Sequence, residues 1–451
     1  MVKTPLLLAL PSSLKTKCKL HLDNRSALAT AVSKETTKKA AGLIVPKTLG
    51  PITPLSTGDY DVRPIELLHA IGRSLTPPTA ALAGLSAWWA VLRWLWAFDS
   101  SGPRLRISPD AKALTFHNRK AFSEALGIAA SRIFAERAYR SLHGSDVDFR
   151  FVDADAAIAA GAVTDPKLAG TVSVGKIAGL LPDYIAFRLT KAGAMDDERA
   201  IECKGHHSGR VNGVPGHVLQ QLADARVQGP SLKVGGGPLN EAWLFCAAAA
   251  IHSKPGDWGC GPVQPNELRV FSLDPVAEDG EDPPPDATRT VWQRDDGGWS
   301  IAHRERLAED ARALDRASLL AWAGEDDAAR AASPLTRDRG AAGTASVSAP
   351  GGRRSRTDPA GGKLDGVELR ISLPADRSLR LFFGTDQDVL NAARQGEPSE
   401  RLVEATDAFR SRRRELGEQP FVVEGDADEP LARSVGSDGT VLEIEIEQAP
   451  G

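Results

Sequence analysis

The chain has 451 residues, 42% hydrophobic and 25% charged, with a formal net charge of -4. This balance is ordinary for folded globular proteins and excludes a wholly disordered chain or a collagen-like repeat. Four cysteines, Cys18, Cys203, Cys246 and Cys260, are too few and too scattered for a disulfide scaffold. A reducing, cytoplasmic setting is therefore the default expectation.

The charge is unevenly spread: +10 over residues 1–150, -2 over 151–275 and -12 over 276–451. A basic first third suits a polyanionic partner. The acidic last third argues against nucleic acid covering the whole molecule.

In chain order, residues 1–60 are lysine-rich and proline-punctuated and read as a basic lead-in, an arm or a loosely folded segment. Residues 61–118 read as a helical, tryptophan-rich region. Within it, the apolar run from Ala80 to Phe98 carries one charge, Arg93, and four tryptophans. An arginine near the middle is costly in lipid and tryptophan prefers interfaces. The run therefore reads as a buried or partner-facing helix, a possible homodimer or protein contact, with no membrane partner expected. Arg104 to Phe116 predicts a short hairpin around Pro109-Asp110. Over 119–142, Phe122, Leu126, Ala129, Ile133 and Arg137 recur at spacings of three and four, which predicts an amphipathic helix.

The pattern then changes. Gly170–Ile177, Asp183–Thr190 and Arg199–Lys204 predict strands, with a loop over Ala192–Glu198. Residues 215–228 predict a helix, and Glu241–Ile251 and Leu268–Leu273 predict further strands. The span 119–275 is thus an α/β core. Residues 276–332 read as an acidic loop plus a helix, and 333–365 as a disordered linker by composition. Residues 366–449 read as a small separate C-terminal domain with strands at Val367–Leu373, Ser378–Phe383 and Thr440–Glu447.

The segment that carries chemistry is 181–228. Pro182-Asp183 is followed, after eighteen residues, by Glu202-Cys203-Lys204, and then by a helix bearing Gln220 and Gln221. On a strand, side chains alternate faces, so Glu202 and Lys204 point one way while Ile201 and Cys203 enter the apolar layer. Two other carboxylate-x-Lys triplets, Asp110-Ala111-Lys112 and Asp165-Pro166-Lys167, lie in turn-like surroundings, and Pro166 would interrupt a strand ladder.

This constellation resembles the PD-(D/E)xK nuclease superfamily over residues 119–275. The resemblance implies a restriction-endonuclease-like mixed sheet flanked by helices, with a helical N-terminal region and a small α+β C-terminal region. It also implies a Mg²⁺-dependent hydrolase of phosphodiester bonds acting on DNA, with Mn²⁺ as a substitute, in restriction, phage defence or repair. Mg²⁺ prefers hard oxygen ligands and is usually held by one or two carboxylates plus waters. Asp183 and Glu202 are the metal ligands so implied, with the Cys203 backbone carbonyl as a further one. Lys204 would position the attacking water.

Many members carry a glutamate on the helix preceding the first strand. The candidates are Glu124 and Glu136. With Leu126 and Ile133 as the core direction, Glu124 falls opposite and Glu136 at the edge of the apolar face, so Glu136 is preferred. Gln221-Leu222 matches the exonuclease-like pattern on the following helix, but Ala225 stands where that pattern has tyrosine. Gln221 is retained as a site residue.

The alternative from another class is a catalytically silent scaffold of the same fold, binding protein or nucleic acid. His206 and His207 read as loop histidines, and Cys246, His252 and Cys260 lack the spacing of a zinc finger.

Overall fold

A computed structural model describes residues 9–39, 48–74, 83–163, 181–208, 214, 216–234, 237–238, 241–250, 256–257, 262–263, 266–276, 291–293, 299–301, 304–335, 351–396, 399–415 and 431–448. The strand expected at Gly170–Ile177, the Asp165-Pro166-Lys167 triplet, and His252 and Cys260 lie outside these residues.

The protein is α/β. Its main sheet is built on seven strands: β1 (Cys18–Asp23), β2 (Gly58–Val62), β3 (Asp148–Asp153), β4 (Tyr184–Leu189), β5 (Met195–Ser208), β6 (Glu241–Ala250) and β7 (Leu268–Val276). Their order is β2-β1-β7-β6-β5-β4-β3, with Thr48–Gly50 pairing on β7 as an eighth strand. The sheet is mixed. β1 runs parallel to β7 and β5 parallel to β6, while β3, β4 and β5 form an antiparallel meander.

The longer helices among the described residues are α1 (Ser26–Lys39), α2 (Pro64–Ser74), α3 (Ala83–Trp94), α4 (Phe116–His143), α5 (Ala154–Val163), α6 (Gly216–Gln228), α7 (Arg304–Trp322), α8 (Gln387–Gln395) and α9 (Glu400–Glu415), with short helical segments at Leu10–Lys15, Pro109–Lys112 and Asp326–Ala332. The two layers over the main sheet can be read from β6. Leu244, Cys246 and Ala248 pack with Leu28 and Val32 of α1 and Val218 and Leu222 of α6. The alternate residues Trp243, Phe245, Ala247 and Ala249 pack with Phe122, Leu126 and Ile133 of α4. A strand covered on both faces has no reason to alternate in polarity, which explains the unbroken apolar run.

The lead-in expectation for 1–60 is corrected. Cys18, Leu20 and Leu22 are buried in the main core while Lys19 faces solvent, so Cys18–Asp23 alternates as a half-covered strand does. It pairs with β7, some 250 residues later, through His21↔Arg269, Leu22↔Val270 and Asp23↔Phe271. The hairpin expected around Pro109-Asp110 is also corrected. Pro109–Lys112 is a short helix, started by Pro109 and capped by Ser108 accepting from Ala111 N. The local hairpin instead pairs Phe98–Asp99 with Arg106–Ile107. The loop expected at Ala192–Glu198 is shorter, since β5 already begins at Met195.

A second, antiparallel sheet comprises β8 (Gly352–Thr357), β9 (Lys363–Leu373), β10 (Arg377–Asp386), β11 (Leu431–Val435) and β12 (Thr440–Gln448), in the order β8-β9-β10-β12-β11. Strand β8 falls inside the stretch 333–365 that composition assigns to a linker. Its exposed edge pairs with β9 from Gly352↔Glu368 to Thr357↔Lys363, so it takes its order from a partner strand rather than from burial of its own side chains.

This sheet packs against the rest of the molecule. Val367, Leu369, Leu381, Phe383, Leu442 and Ile444 share one core with Trp88, Trp322 and α4. Trp88 Nε1 donates to Trp322 O at 3.2 Å, and Trp322 Nε1 donates to Gly384 O at 3.1 Å. The tryptophan-rich region is thus divided: Trp88 and Trp94 of α3 are buried, while Trp89 of α3 and Trp96, just past its end, are exposed. Among the described residues no helix is long and apolar enough to cross a membrane.

Candidate active site at the fork of β4 and β5

β4 and β5 separate where the conspicuous residues lie. Their last pair is Tyr184↔Ile201, and β5 continues to Ser208 without β4 beside it. Asp183 sits at that fork. Its Oδ2 accepts from Cys203 N at 2.7 Å, closing the exposed edge of β5, and its own N donates to Glu202 Oε2 at 3.1 Å. Its carbonyl accepts from Ala154 N at 3.1 Å. Backbone and side chain of Asp183 are therefore tied to β5 and to the start of α5.

The alternation on β5 holds as the spacing requires. Ile201 and Cys203 belong to the core under α4, while Glu202 and Lys204 share the opposite face. Glu202 is fully buried, and its Oε1 forms an ion pair with Lys204 Nζ. Burial pushes the Glu202 carboxyl up to about 8; the charge on Asp183 adds to this and Lys204 opposes it. Burial also raises Asp183, opposed by Lys204 and the Cys203 N–H and reinforced by Glu124. For Lys204, burial acts to lower the ammonium, but Glu202 and Asp183 outweigh it and leave it raised, hence charged at neutral pH. One lysine thus faces two crowded, buried carboxylates, and Glu202 is held protonated at neutral pH.

Two residues are reassigned. Glu136 is not at the fork. It is buried three turns further along α4, about 18 Å from Glu124 at 1.5 Å per residue, where it pairs with Arg140 and lines a cavity with Arg73, Arg132 and Asp438. Glu124 is exposed beside the fork, and its charge reaches Asp183. The apolar stripe gives the angular phase of α4 but not which end meets β5. That is decided by backbone contact between α4 and β5 at Gly127 and Gly205: a Cβ on Gly127 would lie 2.5 Å from Lys204 O.

Gln221 does approach the site. Its Oε1 accepts from the Cys246 thiol at 3.7 Å, and Cys246 stands directly opposite Lys204 in the β5–β6 register. Burial pushes that thiol up to about 12, Lys204 opposing it, so Cys246 stays protonated rather than serving as a thiolate ligand. Gln220 is exposed.

Sequence reasoning missed Asp153 and Asp155. Asp153 pairs with Tyr184 across β3–β4 and accepts from Ala156 N at 2.8 Å as α5 begins. Burial raises its carboxyl to about 6, with Asp155 and Asp183 adding to the effect. The signal was present as Asp-Ala-Asp before an alanine-rich run, a helix-start pattern, but its position beside Asp183 is a product of the sheet. His206, one alternation beyond Lys204, lies against His217 of α6 with ring centroids 3.8 Å apart and planes tilted by 36°.

Asp110 and Lys112 lie in the short helix 109–112, not on a strand. Among the described residues no three His, Cys, Asp or Glu side chains form a group able to hold a metal ion. The oxygen donors at the fork are the carboxylates of Asp183 and Glu202 and the Cys203 carbonyl.

No protein-family model, curated protein or solved structure matches this chain.

Proposed function

We propose that the protein is a metal-dependent phosphodiester hydrolase, a nuclease with a restriction-endonuclease-like core, and that the fork of β4 and β5 is its active site. The observation that carries this reading is the reciprocal pair of hydrogen bonds, Asp183 N to Glu202 Oε2 and Cys203 N to Asp183 Oδ2. These lock two carboxylates together beside a charged lysine where the edge of β5 opens.

The donor set is all oxygen and suits a hard divalent ion that keeps several waters. The raised carboxyls of Glu202 and Asp183 fit a site completed by an added positive charge. Asp183, Glu202 and the Cys203 carbonyl would hold Mg²⁺ or Mn²⁺, which would neutralise phosphate charge and acidify a bound water. Lys204, held charged by both carboxylates, would orient the attacking water and offset charge on the phosphate oxygens in the transition state. Glu124 adds negative charge at the rim and holds up the proton affinity of Asp183. The Gln221 amide lies across the β5–β6 pair, next to Cys246. The basic first third of the chain supplies charge for a nucleic-acid backbone, with DNA the substrate proposed.

The test is cleavage of supercoiled plasmid, linear duplex and single-stranded DNA with Mg²⁺, Mn²⁺ or EDTA, comparing the wild type with Lys204→Ala and Asp183→Asn. Metal-dependent cutting should fall at least about 100-fold in both variants, the scale of a lost proton-transfer or positioning group. Absence of cutting together with absence of a calorimetric Mg²⁺ signal would replace this reading with that of a silent scaffold.

A further inference from the structure

Five large apolar side chains are exposed among the described residues: Trp89 (61%), Trp96 (50%), Phe116 (70%), Leu142 and Ile371. The first three share one neighbourhood. Trp89 and Arg93 of α3 and Trp96, in the turn just past its end, are all exposed, while Trp88, Val91, Trp94 and Leu95 are buried. This exposed group abuts the first turns of α4. Arg93 Nη2 donates to Asn118 Oδ1 at 2.8 Å, and Trp94 packs on Phe122 with ring centroids 4.9 Å apart. Phe116, His117 and Lys120 are exposed there, and Arg119 is half-buried.

We infer that Trp89, Trp96 and Phe116, with Arg93, Arg119 and Lys120, form a stacking platform for unpaired bases, which leads a single strand of nucleic acid into the fork. The inference rests on the nuclease reading of that fork and adds the substrate class to it. Two observations favour this occupant. The aromatic rings are interleaved with three cations, Arg93, Arg119 and Lys120, the combination that holds a single strand without reading its sequence. The platform is also continuous with the proposed site. From Phe116 to Glu124 along α4 is about 12 Å, the length of about three to four stacked nucleotides at 3.4 Å each. At that point the backbone of Ser123 lies against Gly205, the residue after Lys204.

The test is fluorescence anisotropy of labelled 20-nucleotide single strands and of the matching duplex with the full chain in EDTA, where cutting does not intervene. Wild type is expected to bind the single strand more tightly than the duplex, with quenched tryptophan emission. The triple variant Trp89→Ala/Trp96→Ala/Phe116→Ala is expected to lose about 10- to 100-fold in single-strand affinity, at the scale of one stacked base or more. Trp89→Phe should retain most of it. Because these side chains are exposed, the melting temperature of the triple variant should match wild type.

Equal single-strand affinity in wild type and triple variant overturns the inference. So does a triple variant that binds DNA normally but turns a dimer into a monomer by sedimentation, or no longer binds anionic vesicles. Single-strand binding through these residues in a chain that never cuts would leave the inference standing while the nuclease reading fell.

Discussion

The backbones of Gly205 and Ser123 touch: a Cβ on Gly205 would lie 1.6 Å from the Ser123 carbonyl oxygen. An alanine there forces α4 away from β5. Removing glycine from a strand is ordinarily mildly stabilising, so the sign is diagnostic. Gly205→Ala should cost about 2–3 kcal/mol, as overpacking does. Gly50→Ala, which meets nothing within 4 Å, should be neutral or slightly stabilising. Urea unfolding of both variants checks the pair.

The same contact decides which glutamate matters. Replacing Glu124 with glutamine should lower metal-dependent cutting by about 10- to 100-fold, as loss of a group supporting a metal site does. Glu136→Gln should leave cutting unchanged and lower the melting temperature, because Glu136 is buried against Arg140. The reverse pattern would return the role to Glu136. Cleavage rates and thermal melts on both variants separate these outcomes.

His69 of α2 should contribute less to stability as the pH falls. It is enclosed by Ser434 and Thr440, which hydrogen-bond its two ring nitrogens, by Trp322, which stacks on it, and by Asp438, Arg73 and Arg132. Burial pushes the ring down from 6.5 to about 3; Asp438 opposes this, and the two arginines reinforce it. The folded state thus holds the ring neutral. Its contribution is complete above the unfolded value of 6.5 and is lost as pH falls toward 3, with a slope of about 1.4 kcal/mol per pH unit. Asp438 acts lower. Burial opposes its ionisation, but Arg73 and Arg132 outweigh burial and hold it well below the usual carboxylate range, so its contribution is lost only below 3.8. Across urea midpoints at pH 7, 5.5 and 4.5, wild type should lose stability relative to His69→Gln by about one proton's slope, because the buried carboxyls common to both cancel in the difference.

Trp322 joins the C-terminal sheet to α2 and α3, so the chain should unfold in one transition. Its indole lies between His69 and Phe383 and donates to the backbone of β10 and β12. Trp322→Ala should cost about 3–5 kcal/mol. Tryptophan fluorescence and far-ultraviolet circular dichroism should give one coincident urea transition in wild type. Two separated transitions would mean that the C-terminal sheet folds independently.

Much of the core was legible because its signals are local. The 3.6-residue stripe of α4, the two-residue alternation through Ile201, Glu202, Cys203 and Lys204, and the apolar run of β6 each follow from how a helix or strand presents its faces. Local signals failed where order is borrowed. Gly352–Thr357 is polar and exposed and becomes a strand only beside β9. Asp148–Asp153 carries a buried Arg150 paired to Asp148 and Asp315, charges that hide a strand until distant partners neutralise them.

The sequence alone therefore determined which chemical groups the chain could bring to a site: a carboxylate before one strand, and a carboxylate and lysine on one face of the next. Their relative positions depended on tertiary structure. Where β4 ends against β5, which end of α4 meets Lys204, and that Cys18–Asp23 and the C-terminal sheet share the core are set by backbone contacts and buried partners far apart along the chain. Periodicity cannot report these, because it records which way a side chain faces and not what lies opposite it.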